Sequence, residues 1–241
     1  MSRAASPPPA VHPRFGPKQA RRFYDRFGAR QDRQAWYEDA ALERLVALSD
    51  FGAARRLVEL GCGTARLAAR LFDRHLAAAA SYRGFDLSPT MARLSSQRLR
   101  RYGGRVAICL VSGEPPLPVP DASADRFLST YTLDLLSKRH IDRALEDAWR
   151  VLEPDGLLCL AGLAPGAGPL SRLVMGTWSL ARRLRPSLVG GCRPIALGAR
   201  LSADRWELRH QHRVISWGVA SDVLIASRRE TRSIEGPPAI S

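Results

Sequence analysis

From Arg56 to Leu163 short apolar runs alternate with stretches of helical periodicity, and this pattern most narrows what the chain can fold into. The runs are Leu57-Val58-Glu59-Leu60, Tyr82 to Leu87, Val106 to Val111, Arg126 to Thr132 and Leu157 to Leu163. Between them, Thr64 to Arg74, Pro89 to Tyr102 and Ile141 to Leu152 read as helices. Strand and helix in repeated alternation predict a parallel sheet with helices on both faces. Ligands in such sheets sit outside the carboxyl ends of the strands, where the strand order reverses. Residues with chemistry to perform are therefore expected at the ends of the apolar runs.

The first run ends in Glu59-Leu60-Gly61-Cys62-Gly63-Thr64-Ala65, glycines that open a helix. Glycine lets a ligand approach the backbone and permits turns that a side chain forbids. A dinucleotide would call for G-x-G-x-x-G, but the sixth position is Arg66. Glu59 would also repel a pyrophosphate. The same carboxylate suits a cation, and S-adenosylmethionine carries an ammonium and a sulfonium but no phosphate. Asp86 ends the second run, 23 positions after Gly63, about the spacing at which a carboxylate reaches ribose hydroxyls. Glu114 follows Val111-Ser112-Gly113 at the end of the third and is placed to accept a hydrogen bond from the adenine amine.

The segments VELGCGTA, GFDLSPTM, VSGEPPLPVPDASADRF and ALEDAWRVLEPDGLLCL resemble the successive motifs of class I S-adenosylmethionine-dependent methyltransferases. They are similar in particular to the type 11 group, which includes the ubiquinone and menaquinone biosynthesis methyltransferases. The resemblance runs roughly from Phe23 to Leu163. It implies a doubly wound, mostly parallel seven-stranded sheet, with N-terminal helices and an acceptor-side helical insertion after the fifth strand. It also implies that Glu59, Gly61 and Gly63, with Cys62 between them, line the methionine end of the cofactor, and that Asp86 binds the ribose. Leu87 and Met91 would flank adenine, Gly113 and Glu114 would close its edge, Thr130 and Tyr131 would lie near the methyl group, and Tyr24 would sit in a helix capping the site.

Two positions depart from the family pattern. Ala65 stands where a third glycine is usual and is expected to crowd the turn. Thr130 and, further on, Asp134 stand where relatives often have His or Asn, so no catalytic base carries over. Tyr24, Tyr37, Tyr131 and His210 are the weak candidates. His210 and His212 lie two apart on a predicted strand from Trp206 to Ile215, so they share a face, as a base, as half a metal site, or as an ordinary half-exposed strand surface. No metal is expected.

At 241 residues the chain fits one α/β domain. We expect a disordered arm over 1–16, a methyltransferase domain over 17–232 and a flexible tail over 233–241. Within the domain, 17–52 are N-terminal helices, 53–164 the cofactor-binding core, 165–203 the acceptor-side helical segment and 204–232 the final strands. The formal net charge of +14 comes from a basic complement in which all but Lys18 and Lys138 are arginine, spread along the chain rather than clustered. Solvated helix faces are favoured over an anionic partner, which leaves nucleic acid as a secondary reading. Four cysteines without a CxxC pair point to free thiols and a cytoplasmic location. No signal peptide or membrane span is read. Pro169 to Pro186 reads as a basic amphipathic helix whose stripe of Leu170, Leu173, Val174, Thr177, Ala181 and Leu184 covers a lipophilic acceptor, with peripheral membrane contact as the alternative. The leading expectation is methyl transfer to a small, apolar acceptor. The alternatives are nucleic-acid methylation and cofactor binding without catalysis.

Overall fold

The computed structural model describes residues 17–113, 116–185 and 189–229, so the expected arm and tail, and Glu114, lie outside the described residues. Strands β1 (Arg56–Leu60), β2 (Ser81–Asp86), β3 (Val106–Leu110), β4 (Ala124–Thr130), β5 (Leu152–Leu163), β6 (Trp206–Ser216) and β7 (Val219–Arg228) form one sheet in the order β3-β2-β1-β4-β5-β7-β6. The first five strands pair in parallel. β7 inserts antiparallel between β5 and β6. A two-residue turn joins β6 to β7, and Trp217 and Gly218 adopt φ of 54° and 81°, as a tight hairpin of this hand requires. The order of the strands reverses between β1 and β4, which fixes where a crevice opens.

Helices α1 (Pro17–Phe27) and α2 (Ala35–Leu48) are joined by a 3-10 segment, Gly28–Gln34. After them come α3 (Arg66–Arg74), α4 (Pro89–Leu99), α5 (Lys138–Val151) and α6 (Pro169–Leu184). Ser88 caps α4 by accepting the Met91 N–H at 3.2 Å, with Pro89 in the first turn, where its missing N–H costs nothing. Ser137 stands in the same relation to α5 and His140.

Successive residues of a strand face opposite sides, so each central strand feeds two cores. Leu57, Leu128, Cys159 and Ile225 pack with Tyr37, Leu42 and Leu45 of α2 and Leu71 of α3. Val58, Phe127, Leu158 and Leu224 pack with Ile141, Leu145 and Val151 of α5. Burial on both faces is why β1 and β4 read as apolar runs without alternation. β6 is an edge strand and stays largely exposed.

The helix expected after β5 forms as α6, Pro169–Leu184. Its expected facing is corrected. Leu170, Leu173 and Leu184, read as covering an acceptor, point to solvent, whereas Ser171 and Met175 are buried and Val174 and Trp178 pack against the core. The inward face is set by the holes that Tyr37 and β7 offer; amphipathicity does not say which stripe a tertiary neighbour will take. Among the described residues no helix is long and apolar enough to cross a membrane.

Candidate active site

β1 and β2 end side by side, and their tips are bonded together. The Gly61 and Cys62 N–H groups donate to the Phe85 carbonyl at 2.7 and 3.1 Å. Asp86 then closes the glycine turn: one carboxylate oxygen accepts the Gly63 N–H at 2.9 Å, the other the Ser88 N–H at 2.8 Å. Burial pushes the Asp86 carboxyl up, against these backbone donors. Gly61 and Gly63 adopt φ of 77° and 53°, so the turn demands residues without a β-carbon. Ala65 also takes a left-handed φ, 55°, and is buried as the N-cap of α3. The third-glycine position thus keeps a glycine-like conformation with an alanine in it, at a strain of order 1–2 kcal/mol.

A cleft opens over these tips. Its floor and one wall are apolar: Phe85, Leu87, Met91, Val111, Leu117 and Phe127. Gly61, Gly63, Asp86 and Gly113 line the same cleft, so the turn, the ribose candidate and the end of β3 converge as expected. Tyr24 and Tyr131 line it too. Beside it lies a smaller recess, sharing Gln31, Gly61 and Tyr131, whose walls include Asp32, Glu38, Glu59, Cys62, Arg66 and Thr130. One chamber is therefore apolar and the other carries both signs of charge.

Glu59, almost fully buried, accepts the Tyr82 hydroxyl at 2.5 Å. Burial pushes its carboxyl up to about 7. Glu38 is raised to about 7 by the same cause, partly countered by Arg66, which lies 3.5 Å away and also pairs with Asp39 at 2.5 Å. An arginine and two carboxylates around one small recess match the charge pattern of an amino acid's carboxylate and ammonium.

The N-terminal segment folds over this site, and sequence reasoning missed how. Asp32 accepts hydrogen bonds from Thr64 Oγ1 and Arg98, each at 2.6 Å, and Arg98 donates to Thr64 Oγ1 at 2.7 Å. Burial would raise the Asp32 carboxyl, but these partners outweigh it and hold it low. Asp25 accepts the Ser88 hydroxyl at 2.5 Å. Gln31 sits on the glycine turn: a β-carbon at Gly63 would lie 2.7 Å from its amide, and one at Gly61 would strike Thr132. Protein side chains thus stand at the β-carbon positions of both glycines, whose backbone still lines the cleft.

The expected bases fare poorly. His210 lies on the edge strand β6, in a separate recess with Pro154, Asp155 and Arg228, because the hairpin carries it to the far side of the sheet. Its neighbour His212 meets Arg44. Tyr24 and Tyr131 are in place, with hydroxyls tied to the Gly190 carbonyl at 3.4 Å and Ser221 at 2.9 Å. Burial pushes both phenols, and that of Tyr37, well above their ordinary range, so none is a base near neutrality. Two groups not singled out as bases stand out instead. His140 lines the cleft, its Nδ1 2.6 Å from Ser137 Oγ. Asp134, fully buried behind Tyr131, accepts the Leu163 N–H at 2.8 Å through one oxygen and has no partner for the other, and burial pushes it up to about 7.

A crevice at the strand-order reversal holds a carboxylate-closed glycine turn and a mixed-charge recess beside an apolar slot, the arrangement that the resemblance to class I S-adenosylmethionine-dependent methyltransferases implies. Residues 57–156 match the family described as "Methyltransferase domain". Among curated proteins the chain is 32% identical over 151 residues to a malonyl-[acyl-carrier protein] O-methyltransferase of Geobacter sulfurreducens, covering 62% of this chain and 54% of that one. The chain thus spans about half the length of the curated relative it matches. Among solved structures it is similar to the N-methyltransferase NodS from Bradyrhizobium japonicum bound to S-adenosyl-L-homocysteine, with a TM-score of 0.65, 15% identity, and coverage of 88% of this chain and 99% of that one. It is also similar to the [4+2]-cyclase SpnF, with a TM-score of 0.60, 18% identity, and coverage of 78% and 80%. At these identities the structures establish the fold, and the cyclase shows that the fold alone does not fix the reaction.

Proposed function

We propose that the protein transfers a methyl group from S-adenosylmethionine to a small, lipophilic acceptor. The observation that carries this reading is the division of the site into an apolar slot and a recess holding Glu59, Glu38 and Arg66 around one glycine turn. The slot suits adenine between Leu87 and Met91, with Asp86 taking the ribose hydroxyls through lone pairs that Gly63 and Ser88 leave free. The recess suits the methionine end, Arg66 toward the carboxylate and Glu59 or Glu38 toward the ammonium.

When bound, the cofactor supplies a methyl group on a sulfonium, an electrophile that needs no further activation. The protein's task is to hold the acceptor in line and to keep water out. Tyr131, Leu135 and Leu136 form an apolar wall on the side away from β2, and Tyr24 closes it from α1. An acceptor that must lose a proton has His140 on the cleft wall. A cytoplasmic location fits four free thiols, three of them buried.

The test is to incubate the purified chain with methyl-labelled cofactor and fractionated cell extract. Label in the solvent-extractable fraction supports the reading. Label in RNA or DNA would replace it with nucleic-acid methylation, and tight cofactor binding with no label in any fraction would leave a binding protein. A second reading, O-methylation of a carboxyl on a carrier-protein-bound acyl chain, is supported by the name of the 32% identical relative. Label recovered on acyl-carrier protein would favour it.

A further inference from the structure

The outward face of α6 has the wrong composition for water. At 100° per residue, Leu170, Leu173, Thr177, Leu180 and Leu184 fall within an arc of about 80°, and Arg172 and Arg183 follow along one margin of it. The four leucines are 70%, 66%, 56% and 76% exposed, although the opposite face is well packed through Met175, Val174 and Trp178. Trp178 Nε1 donates to the Cys192 carbonyl at 3.1 Å, so the helix is anchored and does not simply await burial against its own core.

The β6–β7 turn extends the patch. A β-carbon at Gly218 would lie 2.7 Å from Val174, which places the turn directly against α6, and its other residue, Trp217, is 80% exposed. Ile215 and Trp36 are exposed nearby, joined through the Ser216 hydroxyl, which donates to the Trp36 carbonyl at 3.2 Å. Charge is as one-sided as the apolar pattern. Between Asp155 and Asp204 the chain holds six arginines and no acidic residue. Among the described residues no carboxylate pairs with Arg172, Arg182, Arg183 or Arg185. Burial and then the like charges of Arg182 and Arg200 lower the Arg193 guanidinium, which marks a concentrated positive field on this side.

We propose that α6 and the Trp217 turn form a docking surface for an anionic lipid bilayer, with the leucines entering the acyl boundary and the arginines meeting the headgroups. A bilayer suits these features better than a protein groove: the leucine stripe is convex, an exposed indole stands beside the helix, and the flanking charge is of a single sign. The inward face of the same helix, through Trp178 and Tyr37, backs the Tyr131 wall of the cleft, so docking would bring that wall to the membrane. The inference stands on surface composition and is independent of the methyl-transfer reading.

The experiment is co-sedimentation of the full chain with vesicles of phosphatidylcholine alone, or with about 30 mol% phosphatidylglycerol added to supply the negative surface potential. The wild type is expected to bind the anionic vesicles and to release as salt is raised. Leu173→Gln with Leu180→Gln should weaken partition at least about tenfold, and Arg172→Ala with Arg183→Ala about thirtyfold. All four residues are exposed, so cofactor titration and far-ultraviolet circular dichroism should match the wild type and report intact folding. Absence of binding to anionic vesicles, or equal binding by both variants, overturns the proposal. So does a wild-type dimer, seen by light scattering, that the leucine variant dissociates without any change in vesicle binding; the face would then belong to a second copy.

Discussion

Replacing Asp86 with alanine separates two consequences of one carboxylate. In the free protein it accepts the N–H groups of Gly63 and Ser88, both at buried positions. Removing the acceptor strands two donors at about 1–3 kcal/mol each, softened at Gly63 by water from the cleft, so a loss of roughly 2–4 kcal/mol is expected. For a chain of this size that lowers the melting temperature by about 5–15 °C. A ribose hydroxyl bound to the same carboxylate adds a charge-assisted bond of about 1.5–3 kcal/mol, or roughly ten- to hundredfold in Kd. Asp86→Asn keeps one carbonyl oxygen and should restore part of the stability and little of the affinity. Calorimetric titration with S-adenosylmethionine, on protein shown folded by thermal melting, measures both. Binding by the folded alanine variant within about threefold of wild type would remove Asp86 from the cofactor site.

Burial pushes Glu59, Glu38 and Asp134 up to about 7 from ordinary values of 4.5, 4.5 and 3.8. The folded state therefore holds protons that the unfolded chain releases, and the stability tied to them is complete below the unfolded values and lost as pH rises through about 7. Denaturant midpoints of the free protein should accordingly fall between pH 5 and about 7.5, where a protein dominated by paired carboxylates would rise. If the cofactor's ammonium meets Glu59, binding near pH 6.5 releases about one proton, visible as a dependence of the titration heat on buffer ionisation enthalpy. Ala65→Gly relieves left-handed strain of about 1–2 kcal/mol against about 0.4–1 kcal/mol of added chain entropy, so its melting temperature should be equal to wild type or slightly higher. Gly61→Ala should do the reverse and abolish cofactor binding by equilibrium titration, since its β-carbon would meet Thr132. Arg98→Met removes the Arg98–Asp32 ion pair, about one-third exposed, while the direct Thr64–Asp32 hydrogen bond remains, and should quicken cofactor release in stopped-flow measurements with little change in melting.

The alternation of strand and helix, the glycine turn and the carboxylates at two strand tips were legible along the chain because each depends on neighbours within a few residues. Glu59, Asp86, Leu87, Met91 and Gly113 line the two chambers because a parallel sheet must bring its strand ends together, whatever its loops do. Other features had no local signature. Gln31 and Asp32 reach the glycine turn across more than thirty residues of chain, through a 3-10 segment whose sequence, Gly28–Gln34, reads as an ordinary polar linker. His210 drew notice along the chain and His140 did not, yet the hairpin sends the first to a far edge while the start of α5 sets the second on the cleft. On α6 the pattern specified an amphipathic helix, and only packing against Tyr37 and β7 decided that the leucine stripe faces outward. Periodicity reports that a face is apolar; which apolar face is covered depends on the shape of what stands opposite, and that is settled by contacts distant in sequence.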